Sequence, residues 1–349
     1  MSQTPVLPEP TTLTSVARVV ADTLREAYGQ DPAPVLAAAG LDEAGLHAPR
    51  GRSVAAAMQR LWQGAVRTTG DAGFGLRAGE HIRPVTFSVL GVTWMASGTL
   101  REALQRLCRY SHVISTQPHQ LRLDTDTDPA WLHFEYPAKL LLEPAVIVDA
   151  LFAAVVTLAR MVTRPAFAPA ALRLRHGDTT RSGAYQRLFA CPVSFGETTD
   201  AMAFSAAQLD TILVGHESEV VRTATLEAER YLQGMRLSPL ATEVRHLLVQ
   251  LLPSGDAALE EIARRLDRGV STVQRQLQDE GLSYRQLLEA TRRTLAEGYL
   301  ADRRLSLGEV TYLLGFADQS SFSRAFSRWY GASPRRYRDG LHAGPAGGR

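Results

Sequence analysis

Two copies of one pattern, an amphipathic helix, a break and a second amphipathic helix, fill the last hundred residues and dictate how that part of the chain folds. In the first copy Leu259, Ile262, Ala263 and Leu266 recur at i, i+3, i+4 and i+7, which puts one buried stripe on a helix. Asp267-Arg268-Gly269 interrupts it, and Val270, Val273 and Leu277 begin a second stripe. Ser271, Thr272, Gln274, Arg275 and Gln278 are left on the solvent side. The second copy opens with a predicted capping box, Ser306 and Glu309, and buries Leu307, Val310, Leu313 and Leu314. Gly315 stops that helix and Asp318 is the expected cap of the next. There Phe322, Phe326 and Trp329 turn inward, while Gln319, Ser320, Ser323, Arg324 and Arg328 turn outward.

These outward sets suit a helix lying in the DNA major groove. Gln pairs with adenine, Arg with guanine O6 and N7, and Ser or Thr with several base edges. Arg275 and Arg324 are 49 residues apart. Between them Ser283 and Gln286 form another predicted capping box, starting a helix that carries Leu287, Leu288, Thr291, Leu295 and Tyr299 on one side. Two helix pairs joined in this way can enter successive major grooves, roughly 34 Å apart.

The stretch from Asp256 to Arg338 resembles the DNA-binding domain of the AraC/XylS family of bacterial transcription regulators. Gly315-Phe316, Ser321-Phe322-Ser323-Arg324-Ala325-Phe326, Gly331-Ala332-Ser333-Pro334 and Tyr337-Arg338 carry the resemblance. It implies base-facing positions at Ser271, Gln274, Arg275 and Gln278 and at Gln319, Ser320, Ser323 and Arg324, with Thr272, Ser321 and Arg328 also expected at the DNA. It implies double-stranded promoter DNA and RNA polymerase as partners, favours activation, and suggests a homodimer. One departure concerns the cap of the first recognition helix, where the family usually has Ser and this chain has Gly269, a weaker cap.

Charge neither adds to nor opposes this reading. The formal net charge is +2, and Asp256 to Arg338 holds 14 Arg against 11 Asp and Glu, a modest surplus that suits base contacts with a limited number of phosphate contacts. Arg285, Arg292, Arg293, Arg335, Arg336 and Arg338 are candidate phosphate clamps, or equally solvated surface arginines. Met1 to Thr12 lacks the charged and apolar regions of a signal peptide, and Cys108 and Cys191 supply no disulfide framework, so a cytoplasmic protein is expected. The apolar run Ala145 to Ala159 contains Asp149 and reads as a buried helix, with no membrane partner.

Upstream of Pro253-Ser254-Gly255 the chain mixes helices and strands. Helical stripes run through Val16, Val19, Val20, Thr23, Leu24 and Ala27 and, capped by Ser53, through Val54, Ala57, Met58, Leu61, Trp62 and Ala65. A third helix begins at the box Thr99 to Glu102. His119 to Asp124 and Ala130 to Tyr136 read as a hairpin, and Ala171 to Arg175 and Ala201 to Ser205 as strands. His216 to Leu252 holds two helices. Leu240, Val244, Leu247, Leu248 and Leu251 stripe the second, which would pack on the sensor or form a dimer seam. Asp71 to Gly79 and Gly98 to Ala103 are similar to the arabinose-binding-type N-terminal domain of one branch of the same family. That similarity implies sensing of a small-molecule effector, although no effector-binding residue is assigned.

The expected fold is therefore an α+β N-terminal sensor followed by an all-α C-terminal domain with two helix-turn-helix motifs joined by a linker helix. The expected boundaries are a disordered N-terminus (1–12), an effector-sensing and oligomerisation domain (13–235), a linker helix and loop (236–255), the DNA-binding domain (256–338) and a disordered tail (339–349). Gly73, Gly75 and Ala78 fit a dinucleotide fingerprint, yet no clear apolar strand precedes them. Cys108, His112, His119 and His133 lack zinc-site spacing, and no hydrolase elbow or His-Glu-x-x-His occurs. No catalytic residue, metal or cofactor is expected, and no enzyme. The contrasting readings are a repair or redox protein triggered by a modified cysteine and an effector-independent DNA-binding protein.

Overall fold

The computed structural model describes residues 10–48, 50–136, 144–178, 183–235, 239–302 and 304–342. They fall into two compact units, one built from Pro10–Tyr136 and Glu143–Met235 and the other chiefly from Arg236–Arg349.

The first unit is α+β. Strand β1 (Thr11–Leu13) is followed by α1 (Thr14–Tyr28) and α2 (Ala33–Ala39), then by β2 (Arg52–Val54), α3 (Ala55–Thr69), α4 (Phe74–Glu80), α5 (Val89–Ala96) and α6 (Leu100–Tyr110). The hairpin β3 (Gln120–Asp124) and β4 (Ala130–Glu135) leads to α7 (Pro144–Val162). After it come β5 (Ala171–Leu174), α8 (Ala184–Phe189), β6 (Val193–Phe195), β7 (Asp200–Phe204), α9 (Ala206–Leu209) and α10 (Ser218–Gly234). The main sheet has the order β3-β4-β7-β5-β6, antiparallel except for β5 and β6.

Several local expectations are revised here by non-local pairing. Thr11 and Thr12 lie in β1, inside the stretch expected to be disordered, because β1 pairs antiparallel with β2. Residues 1–9 of that stretch are outside the described residues. The same pairing takes Ser53 into β2, so α3 starts one residue later and has no side-chain cap. At α6 Thr99 accepts the Glu102 amide at 3.2 Å, but the Glu102 carboxylate accepts from the Gly98 amide and completes no box. Gly75 of the fingerprint and the nearby Gly79 serve packing. A Cβ on Gly75 would lie 2.2 Å from the Val146 carbonyl oxygen, and one on Gly79 2.3 Å from the Ala153 Cβ, so α4 lies directly on the backbone of α7.

Helix α7 contains a stretch, Ala145–Val162, long and apolar enough to cross a membrane, yet 67% of it is buried inside the protein. Its one acid, Asp149, is buried and accepts from the Tyr185 hydroxyl at 2.8 Å, with His176 Nε2 at 3.1 Å from its other oxygen. Burial opposes charge on His176, but the Asp149 carboxylate outweighs it and holds the imidazole above its ordinary value. Trp62, Phe74, Trp94, Tyr110 and Phe134 are core residues, with Tyr136 packed against them.

The described residues of the second unit form helices: α11 (Pro239–Leu251), α12 (Leu259–Arg265), α13 (Val270–Asp279), α14 (Tyr284–Ala301), α15 (Leu307–Leu313), α16 (Gln319–Tyr330) and α17 (Pro334–His342). It has two small cores. Val273, Leu277, Ile262 and Leu287 centre the first, and Val310, Leu314, Phe322, Phe326 and Leu295 the second. Helix α11 lies in the stretch expected to be a linker, yet Leu240, Val244, Leu248 and Leu251 complete the first core. Val249 and Leu252 enter the second. Its stripe is therefore used within this unit, and Pro253-Ser254-Gly255 is a surface turn between helices that share these cores. Helix α17 runs to His342, into the stretch expected as tail, and is anchored by Tyr337, which packs on Phe326 and Tyr330. Residues 343–349 lie outside the described residues.

Candidate nucleic-acid interface

Both helix pairs close their first helix in the same way. The Arg268 amide donates to the Ala263 carbonyl at 3.0 Å and the Phe316 amide to the Thr311 carbonyl at 3.1 Å, the long bond of a Schellman turn. The residue before each is left-handed, Asp267 at φ 53° and Gly315 at φ 63°. Asp267 and Gly315 are 48 residues apart, whereas the N-caps Gly269 and Asp318 are 49 apart, so the second turn is one residue longer.

On α13 Ser271, Gln274, Arg275 and Gln278 are exposed and Thr272 is half-buried. At 3.6 residues per turn, the four exposed side chains share one face opposite Val273 and Leu277. On α16 Gln319, Ser320, Arg324 and Arg328 are exposed, with Ser321 and Ser323 half-buried beside them, opposite Phe322, Ala325 and Phe326. Each helix thus brings its predicted set together on an unburied surface. Arg275 makes no hydrogen bond or ion pair among the described residues. Arg328 is held: its Nη2 donates to Glu289 on α14 at 2.8 Å.

Asp318 caps α16, accepting the Ser321 amide on Oδ1 and the Ser321 hydroxyl on Oδ2, both at 2.8 Å. These bonds hold its carboxyl below the usual carboxylate range. Gly269 has no side chain to do the same for α13.

Helix α14 grips both pairs. Its predicted capping box is present at Ser283 and Gln286, and the Tyr284 hydroxyl donates to the Ala257 carbonyl. Further along, Arg292 donates to the Leu314 carbonyl at 2.9 Å and the Gly315 carbonyl at 2.7 Å and stacks on Phe316, 4.4 Å from the ring centre. Arg292 therefore closes the turn before α16 and is not a solvated surface arginine, one of the two readings open to it. Glu289 accepts from the Trp329 indole and from Arg328, and both hold its carboxyl below the ordinary value. Arg285, Arg335 and Arg336 are exposed, whereas Arg293 and Arg338 are half-buried. The positioning roles of Glu289 and Arg292 had no local sequence signal, since their partners lie more than twenty residues away.

Neither cysteine sits in an activating setting. Burial pushes the Cys108 thiol up to about 12 and the Cys191 thiol up to about 11, which keeps both protonated. No group of three or more His, Cys, Asp and Glu able to hold a metal occurs among the described residues.

Residues 29–213, more than half of the chain, match the family described as the arabinose-binding domain of AraC transcription regulator, N-term. The chain belongs to the AraC family of transcription regulators. Residues 262–340 of this regulator match a helix-turn-helix domain family. It is 28% identical over 330 residues to the HTH-type transcriptional regulator VirS of Mycobacterium tuberculosis, covering 91% of this chain and 93% of that one. It is 25% identical over 324 residues to the ornithine utilization regulator of Pseudomonas aeruginosa, covering 93% and 95%. It is also 30% identical over 169 residues to the transcriptional activator NphR of a Rhodococcus species, covering 47% and 48%.

Proposed function

We propose that this regulator binds promoter DNA sequence-specifically through α13 and α16 and, with RNA polymerase, activates transcription when a small molecule binds its N-terminal unit. The observation that carries the reading is the pair of exposed faces, Ser271, Gln274, Arg275 and Gln278 on one and Gln319, Ser320, Ser323 and Arg324 on the other, each opposite a buried stripe. Thr272, Ser321 and Arg328 flank these faces. Activation is supported by the likeness to NphR, named a transcriptional activator. The N-terminal unit, over about 13–235, is the effector-sensing part, and the effector shifts the fraction of molecules able to seat both helices. Self-association into a homodimer, a cytoplasmic location and the absence of enzymatic activity belong to the same reading.

The test is selection of bound fragments from the source genome by the purified chain, with Arg275→Ala and Arg324→Ala variants as controls. The expected product is a bipartite site with half-elements about 10 base pairs apart, and each single variant should lose about 1–3 kcal/mol of specific binding with non-specific binding nearly retained. Equal binding of that site by parent and variants would remove the assignment of these faces.

A further inference from the structure

Arg324 is not a free side chain. Its Nη2 donates to the Ser321 hydroxyl oxygen at 3.1 Å, and that hydroxyl donates to Asp318 Oδ2 at 2.8 Å. Asp318 Oδ1 is occupied by the Ser321 amide, also at 2.8 Å. The carboxylate is thereby fixed by the helix end itself, the hydroxyl by the carboxylate and the guanidinium by the hydroxyl. One hydrogen of one guanidinium nitrogen is used, which leaves Arg324 enough donors for a bidentate contact with guanine O6 and N7.

We propose that Asp318 and Ser321 are positioning residues that pre-set the Arg324 guanidinium for base recognition, so that selectivity at the base pair it reads depends on a serine hydroxyl that touches no base. The proposal rests on the assignment of Arg324 as a base reader. An arginine on a solvated helix surface must surrender rotamer freedom on binding, and one already held in place surrenders less. The hydroxyl also sets which way the fork faces, because its lone pair can be met from only part of the Arg324 rotamer range.

A hydroxyl that merely helped the cap would predict something different. The Asp318 to Ser321 amide bond survives loss of the hydroxyl, so Ser321→Ala keeps the helix end and removes only the link to Arg324. Thr is the natural rescue, because Thr272 stands at the same place on α13, three residues past the N-cap.

The experiment uses the full chain and a duplex recovered by the parent protein from a random-sequence library. Dissociation constants are measured for that duplex, for a panel with each base pair changed in turn, and for an unrelated duplex, with thermal midpoints to confirm folding. Ser321→Ala should weaken binding of the selected duplex about three- to tenfold, the scale of ordering one long side chain. It should flatten the response at the base pair that Arg324→Ala flattens and nowhere else. Ser321→Thr should restore both, and the double variant Ser321→Ala with Arg324→Ala should bind no worse than Arg324→Ala alone. A loss spread evenly over all duplexes, or one that adds in full to Arg324→Ala, would overturn the positioning role. If Arg324→Ala flattens no position, the base-reading assignment fails first and the positioning proposal falls with it.

Discussion

The two helix-turn-helix copies present similar side chains from unequal supports. In the second, Asp318 caps α16, Glu289 holds Arg328 and Trp329, and Arg292 closes the preceding turn on two carbonyls. In the first, α13 begins at Gly269 with no side-chain cap, and its turn passes through a left-handed Asp267. A hydroxyl occupies the same helical position in both, Thr272 and Ser321, but only Ser321 has a carboxylate to hold it. The second copy is therefore the more firmly supported of the two within the protein itself.

The largest test of that contrast is Gly315→Ala. A Cβ there would sit 2.9 Å from the Leu252 carbonyl oxygen, on a backbone at φ 63°. The left-handed conformation alone costs an L residue about 1–2 kcal/mol, and the close approach adds to it, so a loss of about 2 kcal/mol or more is expected. Denaturant unfolding reads it directly. An unchanged midpoint would show that the turn relaxes, and the second copy would no longer count as the stiffer.

Acid should separate the copies next. The folded Asp318 carboxyl lies below the unfolded value of about 3.9. Its contribution is complete above that pH and is lost as pH falls through the lowered folded value. No corresponding carboxylate caps α13. In an NMR titration the Ser321 amide should move in acid while the Thr272 amide stays. Parallel movement of both would mean that global unfolding, and not the cap, is being read.

What was legible in the sequence was local. The caps Ser283, Ser306 and Asp318 and the stripes of α12 to α16 are set by residues within a turn or two of one another, and the structure has them. Both exposed faces follow from the same periodicity. The assignments that failed depend on distant partners. Ser53 has the chemistry of a cap and is drawn into β2 by Leu13 and Thr12, some forty residues earlier. Arg292 reads as one more surface arginine until Gly315 is brought to it. Helix α11 shows its stripe plainly, but a stripe does not say which surface it covers, and two cores claim this one.

Asp267→Gly works in the opposite direction from Gly315→Ala. Removing the side chain relieves a left-handed L residue but loosens the unfolded chain, for a net gain of about 0.5–1 kcal/mol. A loss instead would mean that the Asp267 side chain contributes to the turn, and that the first copy is not the more strained.

Gly269→Asp is the smallest change and the most pointed. At φ −70° and ψ 146° the site accepts any L residue, and an added Cβ would stand 3.6 Å from the Thr272 hydroxyl, an ordinary contact. A carboxylate there would supply α13 with what Asp318 supplies to α16. Over glycine a cap contributes only a few tenths of a kcal/mol to stability. The informative readout is discrimination at whichever base pair Arg275→Ala flattens, which should sharpen if Thr272 then holds the guanidinium as Ser321 holds Arg324. Should stability rise by that small amount with discrimination unchanged, the two copies differ in capping alone, and the hydroxyl relay of α16 would not be transferable to its twin.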